Sequence, residues 1–96
     1  SNEDAICSVE RELLEETGLK GDLSFVAKVW DDAYSSVQRF CYVSQNTKFV
    51  QKPNLENTEY IELVECDLKK LKNILVNGLC SDTELAYLCL DYLKLL

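Results

Sequence analysis

The 96-residue chain contains no histidine. Ser-His and Cys-His nucleophilic schemes are therefore excluded. Acid–base chemistry must fall to carboxylates, lysine, tyrosine or a metal-bound water. The five cysteines, Cys7, Cys41, Cys66, Cys80 and Cys89, are odd in number and none forms a Cys-x-x-Cys pair. Without histidine, that spacing argues against a zinc site and against a disulfide framework. The expectation is a set of buried or half-buried free thiols in a reducing compartment. No apolar run approaches the ~18–20 residues of a membrane span. No secretory pattern opens the sequence either, so a cytoplasmic protein is expected. Basic residues are scarce: 10 Lys and Arg stand against 17 Asp and Glu, for a net charge of −7. A chain so acidic is not expected to bind nucleic acid or an anionic membrane, which need a basic surface. An anionic substrate stays open, because a bound divalent metal reverses the local field of an acidic site.

Apolar and charged contents are those of a globular chain, and the length suits one small domain spanning residues 1–96. Residues 3–17 read as a helix. Ile6, Val9 and Leu13 form one apolar stripe, and Cys7 and Leu14 lie on a further side, so burial on two sides is expected. Gly18 is placed to end the helix, with Leu19 as the following apolar contact. Lys20-Gly21-Asp22 reads as a turn. Leu23 to Trp30 alternates like a strand, with Leu23, Phe25, Ala27 and Val29 on one face. A loop follows over residues 31–36. Val37 to Gln45 reads as a second strand paired with the first in an antiparallel hairpin.

Residues 46–57 are polar, hold the single proline, Pro53, and read mostly as loop. Thr58 to Cys66 alternates as a third strand. Asp67 is placed to cap a helix carrying Leu68, Leu71 and Leu75, which Asn77-Gly78 stops. Ser81 to Glu84 has capping-box spacing and opens an apolar helix running to about Leu95. The expected class is α/β: a helix, about three mostly antiparallel strands and two C-terminal helices. Three strands leave two faces and two edges to cover, so half of a larger mixed sheet is the natural setting.

The densest chemistry lies in Arg11-Glu12-Leu13-Leu14-Glu15-Glu16-Thr17-Gly18-Leu19. At ~100° per residue, Glu12, Glu15 and Glu16 fall within about 100° of one another. Like charges at these spacings destabilise a helix by about 0.2–0.5 kcal/mol per pair. Arg11, four residues before Glu15, compensates in part. A divalent cation would compensate more fully, and carboxylate oxygens suit Mg²⁺ or Mn²⁺.

This stretch resembles the core of the Nudix box, Arg-Glu-apolar-x-Glu-Glu-x-Gly-apolar, with every specified position matched. Glu3 stands where that pattern places its upstream glutamate. The pattern's first glycine would fall before Ser1, so the chain is expected to be a C-terminal portion of the family domain, beginning inside its motif. The resemblance implies a partial Nudix α/β/α sandwich in which Glu12, Glu15 and Glu16 coordinate Mg²⁺ or Mn²⁺ and Arg11 orients a glutamate. It implies hydrolysis of a nucleoside diphosphate linked to X, with Glu15 central to catalysis.

Residues 55–63 are similar to the acidic loop and following strand of the ADP-ribose pyrophosphatase branch. In that branch a loop glutamate helps activate water, and Glu56 and Glu59 are the candidates here. Residues 34–38 depart from the branch, lacking the Pro, Gly and acid of its longer loop, so related nucleotide sugars, dinucleotides and coenzymes stay open as substrates. The isolated 96 residues are expected to turn over little substrate and to form a homodimer through an exposed sheet edge. The alternative is a non-catalytic Nudix-like binding or dimerisation module.

Overall fold

A helix starts where Asp4 turns its carboxylate back on the chain. In the computed structural model, which describes residues 4–56 and 60–96, Asp4 accepts a hydrogen bond from the Cys7 N–H at 3.0 Å. This N-cap opens α1 (Ala5–Thr17). Strands β1 (Leu19–Trp30) and β2 (Gln38–Phe49) follow, then helices α2 (Leu68–Val76) and α3 (Thr83–Tyr92). Among the described residues the fold is mixed: three helices and one two-stranded antiparallel sheet. None of these helices is long and apolar enough to cross a membrane.

The chain divides into two units, residues 1–25 with 42–63 and residues 26–41 with 64–96. In the first unit, α1 ends on Gly18 in the left-handed region, φ 76°, and the Gly18 N–H bonds the Leu14 carbonyl at 2.8 Å. That is the C-cap expected of the motif glycine. β1 starts at once, at Leu19, so residues 20–22 are strand rather than the turn their composition suggests. Tertiary pairing overrides the local signal. Opposite them, β2 runs on to Phe49 through Asn46, whose φ of 52° inside a strand marks a bulge. Gly21 fits there because a Cβ would crowd the Thr47 hydroxyl at 2.6 Å and the Gln45 carbonyl at 2.8 Å. The Asn46 amide donates to Asp22 at 3.0 Å, and the Ser44 and Thr47 hydroxyls bond each other at 2.7 Å. Phe25 and Tyr42 pack edge to face, centroids 5.6 Å apart. No residue of α1 is fully buried. Val9, Leu13 and Leu14 are half-buried and Ile6 is exposed, so burial on two sides does not hold.

The second unit holds the hairpin loop and both later helices. Asp32 organises the loop by accepting from the Tyr34 N–H at 2.7 Å, and the Ser35 hydroxyl accepts from the Val37 N–H at 2.9 Å. Asp67 caps α2 through the Lys70 N–H at 2.8 Å. The helix closes in a Schellman motif, with Leu79 N–H on Ile74 and Gly78 N–H on Leu75, both 3.1 Å. Cys41 on β2 and Leu90 on α3 are the buried apolar residues, 4% and 5% exposed.

Two expectations need correction here. The third strand, Thr58 to Cys66, is absent from residues 60–66; residues 58 and 59 lie outside the described residues. A strand needs a ladder partner, and among the described residues β1 and β2 pair only with each other. The capping box at Ser81 also fails. The residue flanking α3 is Asp82, which makes no side-chain cap.

Helix α3 ends at Tyr92, about three residues earlier than its apolar pattern suggests, and again in a Schellman motif. Leu95 N–H bonds Leu90 at 2.9 Å and Lys94 N–H bonds Asp91 at 3.0 Å. Lys94 occupies the left-handed position, φ 58°, that glycine favours. Lys94→Gly relieves that conformation but loosens the unfolded chain and removes a cation from a helix C-terminus. The expected net gain is about 0.5 kcal/mol, a rise of a few degrees in the thermal midpoint. Calorimetry of the two proteins checks it; a fall in midpoint would refute the strained-cap account.

Candidate functional site

The motif carboxylates all lie on α1, in the first unit. Arg11 sits four residues before Glu15, and its Nη1 approaches the Glu15 carboxylate at 3.3 Å. That is the pairing expected from spacing alone. Both groups are nearly half exposed, so the pair orients Glu15 more than it stabilises the helix; exposed i,i+4 pairs contribute about 0.3–0.5 kcal/mol. Glu12 is exposed and Glu16 half-buried, one turn apart on the same sector of the helix.

The C-terminal end of α1 is clamped by the chain after β2. The Val50 N–H donates to the Gly18 carbonyl at 2.9 Å, and the Asn54 N–H donates to the Glu15 carbonyl at 2.6 Å. Helix-terminal carbonyls otherwise lack partners. This clamp carries the chain to Glu56, two residues beyond Asn54. The structure thus brings the segment bearing one loop candidate to the end of the acidic helix. Glu56 itself is exposed. Glu59, and Glu3 upstream, lie outside the described residues.

A groove of about 320 Å³ in this unit is lined by Ile6, Cys7, Glu10, Gly21, Asp22 and Leu23. Its acidic members are Glu10 and Asp22; Glu12, Glu15 and Glu16 do not border it. Sequence reasoning missed Asp22 because the Lys20–Asp22 stretch carries a turn composition. Among the described residues, no three acidic or sulfur side chains already converge as a cation cage. In kind, the donors suit a hard divalent ion. Mg²⁺ takes one or two carboxylates and completes its shell with water and phosphate oxygens, and α1 offers three carboxylates on adjoining turns.

A second polar cluster, in the second unit, had no sequence signal. Arg39 on β2 meets three carboxylates. Nε lies 3.3 Å from Asp31, Nη1 lies 2.7 Å from Asp82, and Nη2 hydrogen-bonds Glu84. Nε is buried without a well-aligned hydrogen bond, so its approach to Asp31 is a charge contact rather than a directional one. Glu84, hydrogen-bonded to Arg39 and its own N–H, is drawn away from the capping role its position suggests. This arrangement is a structural tie between β2 and the start of α3.

These contacts set an acid limit. The Glu84 carboxyl is held below its ordinary 4.5, first by its own backbone N–H and then by Arg39. Asp4 is held below 3.8 by the Cys7 N–H. Folded values below unfolded ones give stability that is complete above pH ~4.5 and lost as pH falls through the folded values. Relief of the net −7 repulsion works in the opposite sense over part of that range. The decisive comparison is therefore between proteins: Glu84→Gln is expected to lose less thermal stability than the parent between pH 5 and pH 3. Equal losses in the two melting series would remove Glu84 from the account.

No family model and no curated protein matches this chain.

Proposed function

We propose that the chain carries the metal-binding helix of a Nudix-type pyrophosphohydrolase. The substrate is ADP-ribose or a related nucleoside diphosphate linked to X, and the products are a nucleoside monophosphate and X-phosphate. The observation that carries this reading is the Arg11–Leu19 motif. Its glycine supplies a left-handed C-cap and its arginine pairs with Glu15. The partial Nudix sandwich belongs to the same proposal.

In this reading Glu12, Glu15 and Glu16 hold Mg²⁺ or Mn²⁺, and Arg11 keeps Glu15 turned toward its partners. The metal supplies charge neutralisation at the pyrophosphate and a lowered pKa for the attacking water. Glu56, two residues beyond the Asn54 clamp on α1, or Glu59 would accept a proton from the attacking water.

The second reading is a non-catalytic binding or dimerisation module, in which the acidic helix is scaffold. The exposed aromatic residues of the hairpin in the second unit favour it: Trp30 and Phe40 are 60% and 56% exposed. Such surface suits an interface with a partner, including a second copy. A homodimer is compatible with both readings.

Titrating Mn²⁺ or Mg²⁺ against thermal stability separates them. A ligand of the native state at ten times its Kd adds about 1.4 kcal/mol. The catalytic reading expects a rising midpoint that Glu15→Gln with Glu16→Gln abolishes; a flat midpoint at millimolar metal favours the module.

A further inference from the structure

Two of the five cysteines meet. Cys41 on β2 and Cys89 on α3 are 48 residues apart in sequence, yet their Sγ atoms lie 3.4 Å apart. Cys41 is 4% exposed, and its Sγ also lies 3.7 Å from the Leu85 carbonyl oxygen. Cys89 is half-buried and thus the more accessible of the two. Two residues before Cys41, Arg39 grips Asp82 and Glu84 at the start of the same helix. The strand and the helix are therefore held in register by contacts independent of sulfur. A disulfide has its sulfurs about 2.05 Å apart, so closing the pair requires an approach of roughly 1.4 Å.

We propose that Cys41 and Cys89 are an oxidation site at which a peroxide closes a disulfide that locks β2 to α3. The thiolate of Cys89 attacks one peroxide oxygen, the O–O bond breaks, and hydroxide leaves. Cys89 becomes a sulfenic acid. The Cys41 sulfur then attacks the Cys89 sulfur, its proton passes to the departing hydroxyl, and water leaves as the S–S bond forms. Two thiols and one hydrogen peroxide give one disulfide and two waters. Burial, followed by the neighbouring Cys41 thiol, pushes Cys89 up to about 11. At neutral pH Cys89 therefore rests as a thiol, and oxidation at the site is slow and accelerates with pH. The site responds to sustained peroxide rather than to trace oxidant.

The test treats the reduced protein with hydrogen peroxide at pH 8 and maps tryptic peptides without reduction. The expected product joins peptides 40–48 and 73–94 and reverts with dithiothreitol. The expected rise in thermal midpoint is on the order of 10 °C or more, because the crosslink closes a long loop. Since peptide 73–94 also contains Cys80, the map is repeated on a Cys7→Ser, Cys66→Ser, Cys80→Ser variant, which must still crosslink. Cys89→Ala must not. Should Cys89→Ala fail to fold, the triple variant decides alone. Sulfinate on Cys89 without a crosslink, crosslinks only between molecules, or a Cys41–Cys89 crosslink that leaves the midpoint unmoved would each overturn the proposal.

Discussion

Gly18→Ala is expected to destabilise the protein by about 2–4 kcal/mol and to lower its thermal midpoint by on the order of 10–20 °C. Two separate costs add. An alanine at φ 76° incurs about 1–2 kcal/mol for the left-handed conformation. Its Cβ would also overlap the Gln51 carbonyl oxygen and come within 3.3 Å of the Phe49 ring. Gly18 is buried, and overpacking at such sites costs about 1–3 kcal/mol. The stiffer unfolded chain returns about 0.4–1 kcal/mol. Gly18→Asn separates the two costs, because asparagine tolerates the left-handed region but still carries a Cβ. If Asn is as damaging as Ala, the close approach of Gln51 dominates; if Asn is nearly neutral, the dihedral does. An alanine variant that melts with the parent would refute both the cap and the clamp.

Glu15→Gln and Glu16→Gln are expected to cut hydrolysis by at least about 10²-fold each, on the scale of removing one key electrostatic contact to a transition state. The measurement is an assay of the full-length protein with Mg²⁺ against a panel of nucleotide sugars. Stability is the control that gives the result meaning. Glutamine keeps the shape and removes a charge from a helix face where Glu12, Glu15 and Glu16 repel one another. Each relieved pair returns about 0.2–0.5 kcal/mol. Both variants should therefore melt close to the parent temperature. Glu15→Gln gives back part of that gain by losing Arg11. Activity lost while stability holds is the signature of carboxylates kept for a metal rather than for the fold. Retained activity in both variants would sink the hydrolase proposal.

Local features were legible in the sequence. The periodicity of α1, the Gly18 stop, the Asp67 cap and the hairpin all follow from residues within a few positions of one another. Contacts that depend on distant partners were not. Residues 60–66 alternate like a strand, but alternation cannot reveal whether a neighbouring strand is there to pair. Lys20-Gly21-Asp22 has the composition of a turn, yet the bulge at Asn46, on the opposite strand, makes it part of β1. Ser81 to Glu84 satisfies the capping-box spacing, yet Arg39, more than 40 residues away, competes for the carboxylates. The Cys41–Cys89 contact leaves no trace in cysteine spacing at all. On the candidate site, the Arg11–Glu15 pair was readable from i,i+4 spacing, whereas the tie from Asn54 to Glu15 was not.

That tie sets an order of assembly. A helix can nucleate from its own residues in microseconds or less, but a contact across nearly 40 residues waits for a large loop to close. The last turn of α1 holds Glu15 and Glu16, and the Glu15 carbonyl gains its Asn54 partner only when β2 has brought residues 50–54 alongside. Until then this turn is the frayed end of the helix. The carboxylates proposed to bind metal therefore acquire fixed positions late, after the hairpin has formed.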